Sequence, residues 1–308
     1  MSYYADNRFL SEPSVQQHGS HMIMKNVSKT LKERIVNIDT KYRTDYDYLD
    51  PANVNMVFGE KLSEVVEMEV IAVDLPLTFF NIHGDSCTGA NDGNNAIKIV
   101  KTNGTSNVIT LTPNYYPSVA SLSTEINSQL VSASLAVDIS YSVVNNKSSL
   151  RSSANNTYSL FTNVNALGNA ISSNAQTNLG WALGFRDVSY ALTTAGLASE
   201  SIASIQTPRH LFLAINEYSQ GNSNSFVSPQ EFTNLNKNII AKICIPNGNT
   251  FGDTLCANIK NGLIITESRK YLEKVNIQRM NIQLLDDAGR IIHLNGADFS
   301  LCLKITHY

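Results

Sequence analysis

The chain is short of charge. Asp, Glu, Lys and Arg supply 16% of its 308 residues, where about 25% is usual for a soluble domain, and the formal net charge is -3. With no basic stripe and no acidic block, the sequence carries no electrostatic footprint for nucleic acid or for an anionic membrane surface. Cysteine is scarce as well: Cys87, Cys244, Cys256 and Cys302 are widely spaced and form no CxxC pair, which argues against a disulfide-stapled scaffold. No run reaches the ~18 apolar residues of a bilayer span, and no apolar leader core follows Met1. The expectation is a chain without a membrane span, kept in a reducing compartment.

Catalytic signatures are missing too. There is no GxSxG, HExxH, Walker loop or GxGxxG. The six histidines (His18, His21, His83, His210, His293, His307) show no metal-ligand spacing. Asp286-Asp287 is a carboxylate pair that reads as a solvated hairpin turn. Asp85 and Asp92 lie in a Gly/Asn-rich loop with oxygen ligands to offer, but the calcium-loop spacing is absent and an ordinary surface loop is the better reading. Trp181 and Phe185, four apart beside Gly180 and Gly184, read as a packing corner, with a binding pocket as the other reading. Asn103-Gly104-Thr105, Asn146-Lys147-Ser148 and Asn155-Asn156-Thr157 match glycosylation sequons and read as turns. No enzyme and no cofactor are expected.

What fills the composition is Asn and Ser, together roughly a fifth of the chain, residues that hydrogen-bond locally and suit turns. Alternation then marks the strands, because successive side chains point to opposite faces. Phe299, Leu301, Leu303 and Ile305 alternate with polar residues; Val275 and Ile277 do likewise, and Met280, Ile282 and Leu284 continue in the opposite phase. The slip at Gln278-Arg279 predicts a β-bulge, with turns at Asp286–Gly289 and Asn295-Gly296. Further strands are expected at 34–39, 53–58, 66–75 (ended by Pro76), 211–215 and 241–245.

Between these two sets the pattern changes. A hairpin pairs Ile97 and Ile99 with Ile109 and Leu111 around Asn103-Gly104. A helix with Ser118 as N-cap carries Val119, Leu122, Ile126 and Leu130 at helical spacing. Strands at 137–143 and 158–161 complete a ββαββ unit. Three strands precede it and five follow, the eight of a jelly roll. The fold class is therefore mainly β: a single eight-stranded jelly-roll sandwich with an inserted ββαββ module. The divisions are 1–31, an extended N-terminal arm; 32–82, the first part of the roll; 83–206, the inserted α+β module; and 207–308, the second part of the roll. The arm is polar and aperiodic, and it contains Gly19-Ser20-His21-Met22, which has the form of a cloning remnant. Tyr3, Tyr4, Phe9 and Leu10 in the arm are the candidate partner-binding residues, apolar groups that gain by packing against a neighbour.

Three blocks in order carry a family resemblance. The first is Glu33–Arg43 followed by Leu62–Phe80, with its Glu-Val-Val-Glu-Met-Glu-Val core and Asp74-Leu75-Pro76. The second is Asn178–Arg186 followed by Tyr190. The third is Leu284–Arg290 leading into Asp298–Leu301. Their combination resembles the jelly-roll penton (vertex) and minor capsid proteins of nucleocytoplasmic large DNA viruses and their relatives. That resemblance implies a structural virion protein, a homopentamer at the five-fold vertex of an icosahedral capsid. Its partners would be major capsid protein hexons and minor capsid proteins, with assembly in the host cytoplasm and no catalytic residues. A minor capsid (cement) protein is the alternative within the class; a receptor- or glycan-binding virion protein is the alternative outside it.

Overall fold

Alternating apolar residues organise the chain into antiparallel strands around two separate cores. The computed structural model describes residues 13–18, 21–26, 30–43, 51–84, 93–153, 157–171, 175–205, 208–218 and 238–308. Two strands lie in the segment expected to be an extended arm: β1 (Pro13–His18) and β2 (His21–Asn26) pair antiparallel, from Pro13↔Asn26 to His18↔His21. This corrects the expectation of an arm without folded elements.

Next come β3 (Lys32–Asp39) and β4 (Asn53–Pro76). The two strands expected at 53–58 and 66–75 are one strand of 24 residues. It changes direction at Glu64, whose φ is 54°, a left-handed conformation that a non-glycine residue adopts only under tertiary constraint. The Glu64 amide donates to Asn276 Oδ1 (3.2 Å), and its carbonyl accepts from the Tyr308 amide (3.3 Å). Bends of this kind let one strand serve two sheets.

The middle of the chain holds β5 (Ala96–Lys101), β6 (Ser106–Thr110), helix α1 (Val119–Ser132), β7 (Ile139–Val144), β8 (Lys147–Ser152), β9 (Tyr158–Phe161), the short helix α2 (Leu179–Ala182), β10 (Ser189–Leu192) and β11 (Leu197–Ala198). Ser118 caps α1 as expected, its Oγ accepting from the Ser121 amide at 3.1 Å. The simple ββαββ unit is corrected to two small sheets, ordered β10-β9-β5-β6 and β11-β8-β7. The extra hairpin β7–β8 turns at Asn145-Asn146, with φ of 53° and 60°; Asn tolerates this conformation better than most residues.

The remaining strands are β12 (His210–Asn216), β13 (Ile239–Cys244), β14 (Thr254–Asn258), β15 (Ile264–Thr266), β16 (Arg269–Leu285) and β17 (Ser300–His307). The expected strands at 275–277 and 280–284 are both parts of the 17-residue β16. The bulge expected at Gln278-Arg279 falls where the β16–β4 register shifts between Ile277 and Arg279. β14 and β15, both unexpected from sequence, restore the count of eight. One sheet runs β3-β17-β4-β14, on β4 from Val65 to Pro76; the other runs β4-β16-β12-β13, on β4 from Asn53 and reaching Met68, with β15 at the edge. This wiring is a jelly roll.

Side chains from both sheets fill the space between them, including Met68, Val70, Val73, Met280, Ile282, Leu301 and Leu303. A second core draws only on residues 82–205 and gathers Ile97, Ile99, Leu122, Ile126, Leu150 and Leu160. One charged pair sits inside the roll. Arg269, 1% exposed, donates to Glu217 Oε2 (2.6 Å), Ile215 O (2.7 Å) and Asn238 O (2.9 Å). It thereby joins the end of β12, the start of β13 and the start of β16. Burial, reinforced by the Glu217 charge, pushes the neighbouring Tyr271 hydroxyl pKa upward. Removing one member of a buried pair strands the other charge. Glu217→Ala is therefore expected to cost about 3–5 kcal/mol, read by urea denaturation, while the Glu217→Leu/Arg269→Met double variant recovers most of it.

Candidate interaction surfaces and the junction cleft

The chain passes from the first core to the second at Phe79–Ile82 and returns near Ile205–Arg209. Asn81, buried, ties both crossings together. Its Nδ2 donates to Tyr116 O (2.8 Å) and Ile205 O (3.1 Å), its Oδ1 accepts from the Tyr116 amide (2.8 Å), and its carbonyl accepts from Asn94 Nδ2 (2.8 Å). Buried polar groups so fully paired hold backbone segments in one arrangement. Tyr116, in the same network, donates to Thr112 O, and burial followed by the Glu125 charge raises its pKa to about 12.

Two hollows flank this junction. The smaller, about 150 Å³, is lined by residues including Phe79, His83, Asp286, Arg290, Ile292 and His293. Here the carboxylate pair of the sequence is corrected: Asp286 is 8% exposed rather than solvated. Its Oδ1 accepts from the Ala288 (3.0 Å) and Arg290 (2.8 Å) amides, and its Oδ2 pairs with the Arg290 guanidinium at 2.8 Å. The turn folds around its own acid. Burial and the Asp286 charge push the neighbouring Asp287 pKa up, and burial with Lys242 pushes His210 down.

The larger hollow is an open cleft of about 590 Å³ between the two cores. Tyr115 and Phe251 stack on one wall, centroids 5.3 Å apart at 27°, and Phe80 stacks behind Phe251 at 5.9 Å. Phe251 is 43% exposed. Its loop is tied down by Asp253, whose Oδ2 accepts from the Thr250 amide (2.8 Å) and hydroxyl (2.9 Å), bonds that lower the Asp253 pKa. The Leu77 amide donates to Asp253 O (2.8 Å), and the Gly252 amide donates to Leu77 O (3.0 Å). Arg209, exposed, and Asn247 and Asn249 complete the rim. Nothing in the local sequence announced this cleft, since its walls come from four segments more than 30 residues apart in sequence.

The Trp181–Phe185 corner packs as expected. Leu179, Leu183 and Phe185 belong to the second core. Arg186 lies over the Trp181 ring, 4.0 Å from its centroid, and donates to the Trp181 and Phe185 carbonyls. Tyr190 Oη accepts from the Arg186 and Asp187 amides and donates to Glu200 Oε2 (3.0 Å). Gly184 has φ of 94°, and a Cβ there would run into Ser201 O.

A third surface is β3, which among the described residues is an edge strand paired only with β17. Ile35 on it is 65% exposed. Tyr3, Tyr4, Phe9 and Leu10, the candidate partner-binding residues, lie outside the described residues, as do Asp85 and Asp92. Among the described residues no group of three or more His, Cys, Asp or Glu side chains is placed to hold a metal ion.

Two outcomes are expected at these positions. Gly184→Ala loses about 2 kcal/mol or more from strain and overlap, while Gly248→Ala, with φ of 96° but open space, loses about 1 kcal/mol; thermal denaturation ranks them. For His210, a lowered folded pKa means the folded state resists protonation, so stability falls as pH drops through the unfolded value of about 6.5. Asp287, with a raised folded pKa, acts oppositely and at lower pH. His210→Gln should therefore flatten the loss of melting temperature between about pH 7 and 5.5.

No protein family and no curated protein matches the chain. Among solved structures it is similar to the mavirus penton protein, with a TM-score of 0.45 and 10% identity over 91% of this chain and 100% of that one. It is also similar to the Sputnik virophage structure determined by cryo-EM, with a TM-score of 0.38 and 13% identity over 89% of this chain and 98% of that one.

Proposed function

We propose that the chain is a structural virion protein, a penton subunit that forms the five-fold vertex of an icosahedral capsid. The observation that carries this reading is the jelly roll with its interior filled by apolar side chains from both sheets. Jelly rolls serve capsids, lectins and cupins. A roll that works as a cupin-type enzyme keeps polar ligands inside the sandwich, and the interior here is occupied by Met68, Val70, Met280, Ile282 and Leu303. What such a solid block offers is surface.

The sequence blocks that resemble penton and minor capsid proteins support the same reading, because two of them meet in space. Arg43, from the first, is buried and pairs with Asp298, from the third. The Thr40 amide donates to Phe299 O (3.0 Å), and the Thr40 hydroxyl accepts from the Phe299 amide (3.0 Å) and donates to Asp298 Oδ1 (3.1 Å). These contacts fasten the exit of β3 to the entry of β17, at the edge of a sheet.

A five-fold ring joins one side of each subunit to a different side of the next. The edge strand β3 and the hairpin β1–β2 are suited to this, since each leaves ladder groups unpaired. We divide the chain at 1–31, 32–82, 83–206 and 207–308, as the sequence suggests. The 83–206 module faces neighbouring capsomers or the outside, and hexons and minor capsid proteins are the further partners in the virion. Tyr3, Tyr4, Phe9 and Leu10 are contacts to a neighbour. Mass photometry of the purified chain is expected to show a five-copy species; a monomer at every concentration would overturn the penton assignment. Removing residues 1–31 should leave the melting temperature unchanged and reduce incorporation into particles. Density away from the five-fold axes in a particle reconstruction would instead identify a cement protein.

A further inference from the structure

The open cleft at the junction has the size and the lining of a small-ligand site, and the capsid reading makes no use of it. Sites for small ligands occupy about 300–1,000 Å³ and combine apolar or aromatic walls with a few convergent polar groups; this cleft encloses about 590 Å³. Its walls are of three kinds. The first is aromatic: the half-buried ring of Tyr115 and the exposed part of Phe251, held face to face. The second is amide, from exposed Asn247 and from Asn249, whose Nδ2 donates to Pro246 O at 3.3 Å. The third is a single cation, Arg209, whose guanidinium makes no hydrogen bond or ion pair among the described residues.

Each wall is set before any ligand arrives. Phe251 is placed by the Asp253–Thr250 turn and the Leu77 backbone bonds. Tyr115 is placed by the Ile82–Asn114 bridge and by its own amide donating to Asn114 Oδ1 (2.8 Å). The Arg209 carbonyl accepts from the Ile245 amide at 3.1 Å, which fixes the backbone that carries the cation. Preorganised walls spare a ligand the cost of ordering them.

We propose that this cleft binds an acidic saccharide. The C–H groups of a sugar ring lie along the exposed flank of the Tyr115–Phe251 stack, ring hydroxyls exchange hydrogen bonds with Asn247 and Asn249, and the sugar carboxylate pairs with the planar guanidinium of Arg209, a bidentate match. An extended peptide is the poorer occupant, because the recurring peptide modes need an open strand edge or a continuous apolar groove. The cleft is lined by loops and has amides and a cation along much of its wall.

The test uses the full chain with sialyllactose, glucuronic acid and neutral lactose as probes, read by saturation-transfer NMR and by calorimetry. Saturable binding of the two acidic probes is expected, with lactose about tenfold weaker or more, since a charge-assisted hydrogen bond discriminates at that level. Arg209→Ala should erase the preference for acid, and Phe251→Ser should weaken every sugar. Equal binding of lactose, no binding of any probe, or binding unchanged in both variants would each overturn the proposal. Mass photometry of both variants shows whether assembly persists, so failure here is separable from failure of the vertex reading.

Discussion

The roll depends on β4, a strand that belongs to both of its sheets. Over 24 residues it pairs with β16, β17 and β14, so the burial of apolar side chains between the sheets is organised about a single covalent segment. The turn at Glu64 makes this possible. If β4 ran straight, Val54 and Met56 could not lie in one sheet while Val70 and Val73 face them from the other. The second long strand, β16, follows the same bend and absorbs it through register shifts between Lys270 and Arg279. Long antiparallel ladders of high sequence separation carry most of the fold, including the pairing of β17 with β3, whose partners lie more than 260 residues apart.

On that frame, polar groups are used where segments must meet at a fixed angle. Arg269 reaches two carbonyls and one carboxylate at the ends of three strands; Arg43 and Thr40 hold β3 to β17; Asn81 holds the two crossings to the second core. Burying such groups contributes little net stability and selects one geometry. The same junction shapes the cleft between the two cores.

Several features were legible locally. The 299–305 alternation, the α1 spacing with its Ser118 cap and the slip at Gln278-Arg279 all appear where local pattern put them, because period and capping are properties of neighbouring residues. Local pattern failed where long-range contacts decide. Nothing in Ser63-Glu64-Val65 says that strands 53–58 and 66–75 are continuous, since the left-handed Glu64 is stabilised by Asn276 and Tyr308. β14 is only five residues long, and its pairing with β4 defines it. The pairing of Pro13–His18 with His21–Asn26 was hidden by the polar, aperiodic composition of the segment. Asp286 read as solvated because a DDAG turn usually is, and here it folds inward onto Arg290.

By itself, the sequence determined that this is a β protein with a helical interruption and polar, weakly charged surfaces, because side-chain alternation and helical period are written residue by residue. The order of strands in each sheet, the bend that lets β4 serve both, and the cleft walled by Tyr115, Arg209 and Phe251 were decided only in three dimensions. They arise from contacts between segments far apart in the chain, where packing and paired polar groups outweigh local preference.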